Sequence, residues 1–288
     1  MAIIPSFFLN VVVALGIDGD EGKKHWIGTG FIVERKDTTN PELSTYYIIT
    51  NKHVVAQPRY IYVRFNSLGD SFVKDYRVDL YGDTGTPMFT SHPNEQTDVI
   101  AFQISPQTLI NDKSIWGAFD LDEHALTLDQ MEQTGVTEGN LVYSLGFPLG
   151  EFDNIKSTIC ILGCISRVMD AFVKKKEQPT FLVDAPVFPG NSGGPIVSRP
   201  EHYSIEGTPC NSSANLIGVL SEYITYQEPL YSRQTGRLRM MQEENSGLTI
   251  VHPVDRIKEV VELEWKRLEM QTEQNLTVQQ NVEEEVAV

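Results

Sequence analysis

The sequence predicts an all-β protein, two β-barrels followed by a C-terminal α-helix. Three observations lead there. Short runs rich in Val, Ile, Tyr and Phe recur along the chain with Gly, Pro and Asn between them, the pattern of strands and turns. The runs form two similar sets of about six each, separated by a polar stretch poor in β-formers at residues 111–137. Helical periodicity appears only after Pro253. The expected division is a first barrel over residues 1–120, a second over 121–252, a helix over 253–274 and an acidic, disordered tail over 275–288.

The first set begins with the apolar run from Phe7 to Ile17. It lacks a basic leader and a small-residue cleavage site, and Pro5 and Asn10 argue against a membrane span. It reads as a first strand of a cytoplasmic protein. WIGTGFIVE, YYIITNKHV, YIYVRFN, KDYRVDLYG and DVIAFQI follow. The second set is NLVYSLGF, KSTICILGCISRV, TFLVDAPV, GGPIVS, ANLIGVLSEYI and GLTIV. Residues 224–246 read as a long insert, either a cover or exosite over a cleft or a mobile surface loop. In the last segment Val254, Ile257, Val260, Val261, Trp265 and Leu268 mark one helix face, with Pro253 at the first helical position and Asp255 in the first turn.

Composition narrows the function. The chain has 288 residues, 41% hydrophobic and 22% charged, as ordinary soluble globular proteins do. A net charge of −16 argues against nucleic acid as a partner, since phosphate binding needs clustered Lys and Arg. No membrane partner is expected. Cys160, Cys164 and Cys210 are too few and too unevenly placed for a disulfide framework and read as reduced core cysteines. No Cys/His cluster has metal-ligand spacing, so no metal or cofactor is expected.

The chemistry is concentrated in Gly190-Asn191-Ser192-Gly193-Gly194-Pro195. Glycines let the backbone turn sharply, present the hydroxyl and aim N–H groups at one spot. The Gly190 and Ser192 N–H groups would form an oxyanion hole. Alone, the same motif would equally be a tight hairpin. A serine needs a base to become a nucleophile. His53, at the end of an apolar strand, is the best placed. Asp98 opens the strand DVIAF and would orient the imidazole. The order His, Asp, Ser along the chain is that of the chymotrypsin arrangement.

Taken together, GTGFIV, IITNKHVV, TDVIAFQI, YSLGFPLG, VDAPVFPGNSGGPIVS, LIGVLSEY and SGLTIVHPVDRI resemble the trypsin-like serine proteases, nearest the HtrA type, from about residue 7 to about residue 270. The resemblance implies two six-stranded antiparallel barrels of the chymotrypsin type with a cleft between them. It implies His53, Asp98 and Ser192 as catalytic triad and a protein or peptide as substrate. Ser221 would support Asp98, and Leu220 to Tyr223 would pair with substrate backbone. Gly247 would lie on a pocket wall. Plain strand packing is an equal account of Leu220, Ser221, Tyr223 and Gly247. Pro186 stands where an acidic pocket base would be; Val187, Phe188 and Leu220 suggest an apolar pocket, narrowed by Tyr223, for an aliphatic residue before the cut. Two departures are visible. Asn191 replaces the aspartate of zymogen-activated enzymes, and too little chain follows Pro253 for the PDZ domain usual in the HtrA type. A latent protease, or a non-catalytic peptide-binding or chaperone-like module gated by a partner, is the alternative reading; an activating partner or a homo-oligomer is compatible with either.

Overall fold

The structure is a computed structural model that describes residues 4–37, 40, 43–150, 155–175, 177, 180–201, 205–209 and 211–286; Cys210 lies outside them. The strands are β1 Val12–Asp18, β2 Lys24–Lys36, β3 Ser44–Thr50, β4 Tyr60–Ser67, β5 Val73–Asp79, β6 Thr90–Ser91, β7 Ile100–Ile104, β8 Ser114–Ile115 and β9 Phe119–Asp120 in the first half. The second half holds β10 Leu141–Gly146, β11 Ile159–Arg167, β12 Phe181–Asp184, β13 Pro195–Ser198, β14 Leu216–Tyr231 and β15 Leu238–Pro253. The helices are α1 Ser6–Asn10, α2 Pro106–Asn111, α3 Leu128–Thr134, α4 Met169–Val173 and α5 Val254–Val286. None is long and apolar enough to cross a membrane among the described residues.

The second half closes as a six-stranded barrel in the order β10-β11-β12-β15-β14-β13, antiparallel throughout. The first half is one sheet in the order β5-β4-β1-β2-β3-β7-β6, with β8 added to β4 and β9 to β2. Its ends approach each other where the chain leaves β5: Tyr81 bridges Pro87, and the Met88 N–H donates to Leu80 O. Period-two burial explains the layering. In β4, Ile61, Val63 and Phe65 point inward and their neighbours outward. In β1, Val13 and Leu15 join the core of the first sheet, whereas Val12 and Ala14 face a second cluster. That second cluster joins the halves: Phe31, Tyr47 and Phe119 meet Leu145, Phe147 and Val219, and α5 covers them with Val254, Ile257, Val260 and Val261. Each such side chain contributes about 1.5–3 kcal/mol on burial. The barrel core, with Phe181, Val183, Ile196 and Val251, is separate.

Four expectations change. The run Phe7–Ile17 is not one strand. Pro5 caps the short α1, whose Phe7 ring meets Phe119 edge-on and whose Phe8 ring is tilted against it, and β1 begins only at Val12. Residues 224–246 are no loop: β14 and β15 run on as an antiparallel ribbon from Thr225↔Asn245 to Tyr231↔Leu238. Pro253 closes β15 opposite Gly218, so α5 starts one residue later than expected. The helix continues past residue 274 to Val286, where a disordered tail was expected; Gln and Glu, abundant there, are good helix formers. Cys160 and Cys164 are free thiols and half-buried; burial pushes the Cys160 thiol up to about 11.

Candidate active site

The site forms where both halves meet. After β3 the chain turns through Asn51 and Lys52 into a single 3₁₀ turn, His53–Val55. Val54 and Val55 are buried and anchor that turn, leaving the His53 side chain 51% exposed. Gly28 makes the anchor fit, since a Cβ there would stand 2.5 Å from Val54 Cγ1. Asp98, just before β7, accepts from His53 twice: from the ring at 2.5 Å (Nδ1 to Oδ2) and from the backbone N–H at 3.1 Å (Oδ1). A proton on Nδ1 leaves the Nε2 lone pair facing the cleft.

Asp98 is itself held on every side. Ser221 Oγ donates to its Oδ2 at 3.2 Å, Asn51 Nδ2 donates to its carbonyl at 2.7 Å, and its N–H donates to Nε2 of the buried His252 at 3.1 Å. Burial alone would raise the Asp98 carboxyl. The bonds and charge from His53 and the Ser221 hydroxyl outweigh it and keep the group below the usual carboxylate range. Asp98 is thus an anion at neutral pH, suited to stabilise an imidazolium.

The serine loop runs from Ala185 to Gly194 between β12 and β13. Gly190 (φ +98°) and Gly193 (φ +84°) adopt the left-handed region. A Cβ would also collide: 2.4 Å from Phe147 O at Gly190, and 2.1 Å from Thr29 O at Gly193. Thr29 fastens the loop to the first sheet. Its hydroxyl donates to Gly190 O at 2.6 Å and accepts from the Phe147 N–H at 3.1 Å; its N–H donates to Ser192 O at 2.9 Å. Thr50 Oγ1 donates to Thr29 O at 2.7 Å. Among the described residues the Gly190 and Ser192 N–H groups have no protein acceptor, which leaves both donors for a ligand oxygen. Ser192 Oγ has no hydrogen-bond partner among them either, so its contact with His53 is not closed. Such contacts are often long without substrate and tighten when it binds.

The structure therefore brings His53, Asp98 and Ser221 into one bonded cluster and sets the Gly190–Ser192 turn against Thr29 and Thr50, just before His53. The expected pocket residues are placed differently. Val187 and Leu220 are 1% exposed and belong to the barrel core, Tyr223 is half-buried against it, and Phe188 is on the surface. Pro186 is exposed. Gly247 (φ +83°) donates to Asn245 Oδ1, and the nearest atom to where its Cβ would stand is Asp184 Oδ1, at 3.7 Å. Asn191 is 1% exposed, and neither amide atom has a partner among the described residues.

Sequence reasoning missed Thr29, Asn51, His252 and Asp184. A polar residue between two glycines, as in Gly28-Thr29-Gly30, was the one available signal. His53 stands between two open cavities. One, about 530 Å³, is lined by Ile17, Ile27, Val54, Pro58 and Tyr60. The other, about 620 Å³, is lined by Glu95, Gln96, Glu177, Glu222 and Ile250 beside Asp98 and Ser221.

Among solved structures, the chain is similar to the MamO protease domain from Magnetospirillum magneticum (apo form), with 14% identity and a TM-score of 0.46 over 87% of this chain and 95% of that one. It is also similar to the Rv3671c protease in its inactive form, with 16% identity and a TM-score of 0.42 over 90% of this chain and 89% of that one. No curated protein matches it. Residues 28–202, a stretch that holds His53, Asp98 and Ser192, match the family described as trypsin-like peptidase domain, and the chain belongs to that family.

Proposed function

We propose that the protein is a serine endopeptidase with His53, Asp98 and Ser192 as its triad. The observation that carries this reading is the 2.5 Å bond from His53 Nδ1 to Asp98 Oδ2, which commits Nδ1 and leaves Nε2 of the half-exposed ring free to act as the base. Ser192 Oγ attacks the peptide carbonyl carbon while His53 Nε2 takes its proton. The oxyanion accepts from the Gly190 and Ser192 N–H groups. The C–N bond breaks, the leaving amine takes the proton from His53, and water then hydrolyses the acyl-enzyme by the same steps. Unfolded casein tests this: wild type cleaves it and Ser192→Ala does not. Equal cleavage by both would remove Ser192 from the mechanism.

An aliphatic residue before the cut is the reading that the absence of an acidic side chain at Pro186 supports. Asp184 beside Gly247 supports a second reading, a basic residue there. A peptide series varying only that residue decides: faster cleavage after Val or Ala than after Arg supports the first, and the reverse order, reduced by Asp184→Asn, supports the second. A latent enzyme is the alternative, and the unclosed Ser192–His53 contact fits it as well as it fits an active enzyme without substrate. In that case labelling of Ser192 by a fluorophosphonate is slow alone and rises when unfolded protein is added.

A further inference from the structure

The β14–β15 ribbon is more than a connection. The β13 ladder ends at Pro195↔Val219, closed by Gly193 N–H to Leu220 O and Leu220 N–H to Gly194 O. From Ser221 onward β14 has β15 on one side and no described strand on the other. This free edge begins at Ser221–Tyr223, where substrate backbone is expected, and continues in the same strand to Glu228. Its base is pinned to the serine loop by Asn245 Nδ2, which donates to Val187 O at 2.8 Å, and its two strands are tied together there by Ser246 Oγ, which donates to Ile224 O at 2.6 Å. Beyond the base both strands are exposed almost throughout. A two-stranded ribbon packed against nothing is marginal in water, so a third strand would stabilise it.

The direction of the free groups follows from one residue. The register is regular from Thr225↔Asn245 to Leu230↔Met240. In an antiparallel pair, alternate residues turn both N–H and C=O to the same side. Pro229 has no N–H, and a strand tolerates proline where that group would face away from the partner. Thr225 and Gln227, in step with Pro229, therefore turn their N–H and C=O to the free edge. Pro229 ends that edge, leaving room from Ser221 to Glu228 for a segment of about eight residues. Past it the tip changes character. Arg233, Arg237 and Arg239 have no ion-pair partner among the described residues, no acidic residue occurs from 229 to 242, and Leu230, Tyr231 and Met240 are exposed. In a chain of net charge −16 this is a local cationic, apolar surface.

We infer that the ribbon is a substrate-docking arm: an extended, unfolded polypeptide segment adds to the β14 edge from Ser221 to Glu228 and places acidic residues, about ten before the cut, against the tip arginines. The inference rests on the peptidase reading for where the cut falls. It makes the protein selective for long unstructured segments over short peptides and folded loops.

The test uses the full chain carrying Ser192→Ala and two fluorescein-labelled peptides ending in the same Val-Ala. One has about four residues; the other has about twelve, alternating Val and Thr and opening with three Glu. By fluorescence anisotropy the longer peptide binds at least about tenfold tighter. Gln227→Pro brings the longer peptide to the affinity of the shorter. Arg233→Ser, Arg237→Ser and Arg239→Ser together weaken the longer peptide and flatten its salt dependence, and serve if the proline variant does not fold. Equal affinity for both peptides overturns the inference. So does a dimer that Gln227→Pro converts to monomer while the length effect persists, because the edge then belongs to a second copy. Failure of wild type to cleave a peptide that the arm holds tightly would sink the peptidase reading and leave docking intact.

Discussion

Thr29 shows how one hydroxyl couples two halves of a chain. It bridges Gly190 O and the Phe147 N–H, partners 161 and 118 residues away in sequence. Thr29→Val keeps the shape and removes both bonds, each worth about 0.5–1.5 kcal/mol. The same change lets the Gly190–Ser192 turn drift, and displacements on that scale lower rates roughly 100-fold. The expected outcome is a lower melting temperature and a kcat that falls while KM holds. An unchanged kcat would show that the loop is held by its glycines alone. The contrast with His53, Asp98 and Ser192 explains what was legible. Those residues, the proposed triad, could be picked out because each sits in a local pattern: a strand end, a strand start and a glycine-rich turn. Thr29, Asn51 and His252 act through contacts across the fold, and no local pattern announces a partner that distant.

At the scale of elements, legibility followed burial. Strands with one buried face, such as β4, alternate visibly in sequence. The outer part of the arm buries neither face, so Thr225–Tyr231 and Leu238–Asn245 carry no alternation and read as an insert. At the N-terminus Phe7, Phe8 and Leu9 are apolar in a row, which periodicity cannot assign to strand or helix. α5 was readable because one face is committed: Val254, Ile257, Val260 and Val261 are essentially inaccessible, and Arg35 both pairs with Glu262 and lies 4.0 Å over the Trp265 ring. The helix thus acts as a clasp on the cluster that joins the halves. Ile257→Ala should cost about 2–5 kcal/mol by leaving a cavity there. Denaturant unfolding checks the cost, and a loss below ~1 kcal/mol would mean the helix rides on the body without bracing it.

At the scale of the molecule, the two halves also share a buried charge site. Lys156, just before β11, is 3% exposed. Its backbone exchanges two hydrogen bonds with the Asn66 side chain on β4, and its ammonium donates to Val12 O on β1. No carboxylate pairs with it among the described residues, and burial pushes it down to about 7. An unfolded lysine titrates near 10.4. Between those values the unfolded chain holds a proton that the folded chain has released, so stability rises with pH, by up to ~1.4 kcal/mol per unit. Below about 7 both states are protonated, and the cost of burying the charge is constant. Cys160 works in the opposite direction: its raised thiol keeps its proton in the folded state while an unfolded thiol, titrating near 8.5, loses it, and stability then falls as pH rises. The tyrosines raised by burial do the same near pH 10. The lysine is therefore best isolated from pH 7 to about 8.5 by comparing wild type with Lys156→Met in urea. Wild type should gain stability across that window while the variant stays flat or declines. Parallel profiles would mean that the ammonium reaches water when the halves separate slightly, and that the junction between them is looser than its packing suggests.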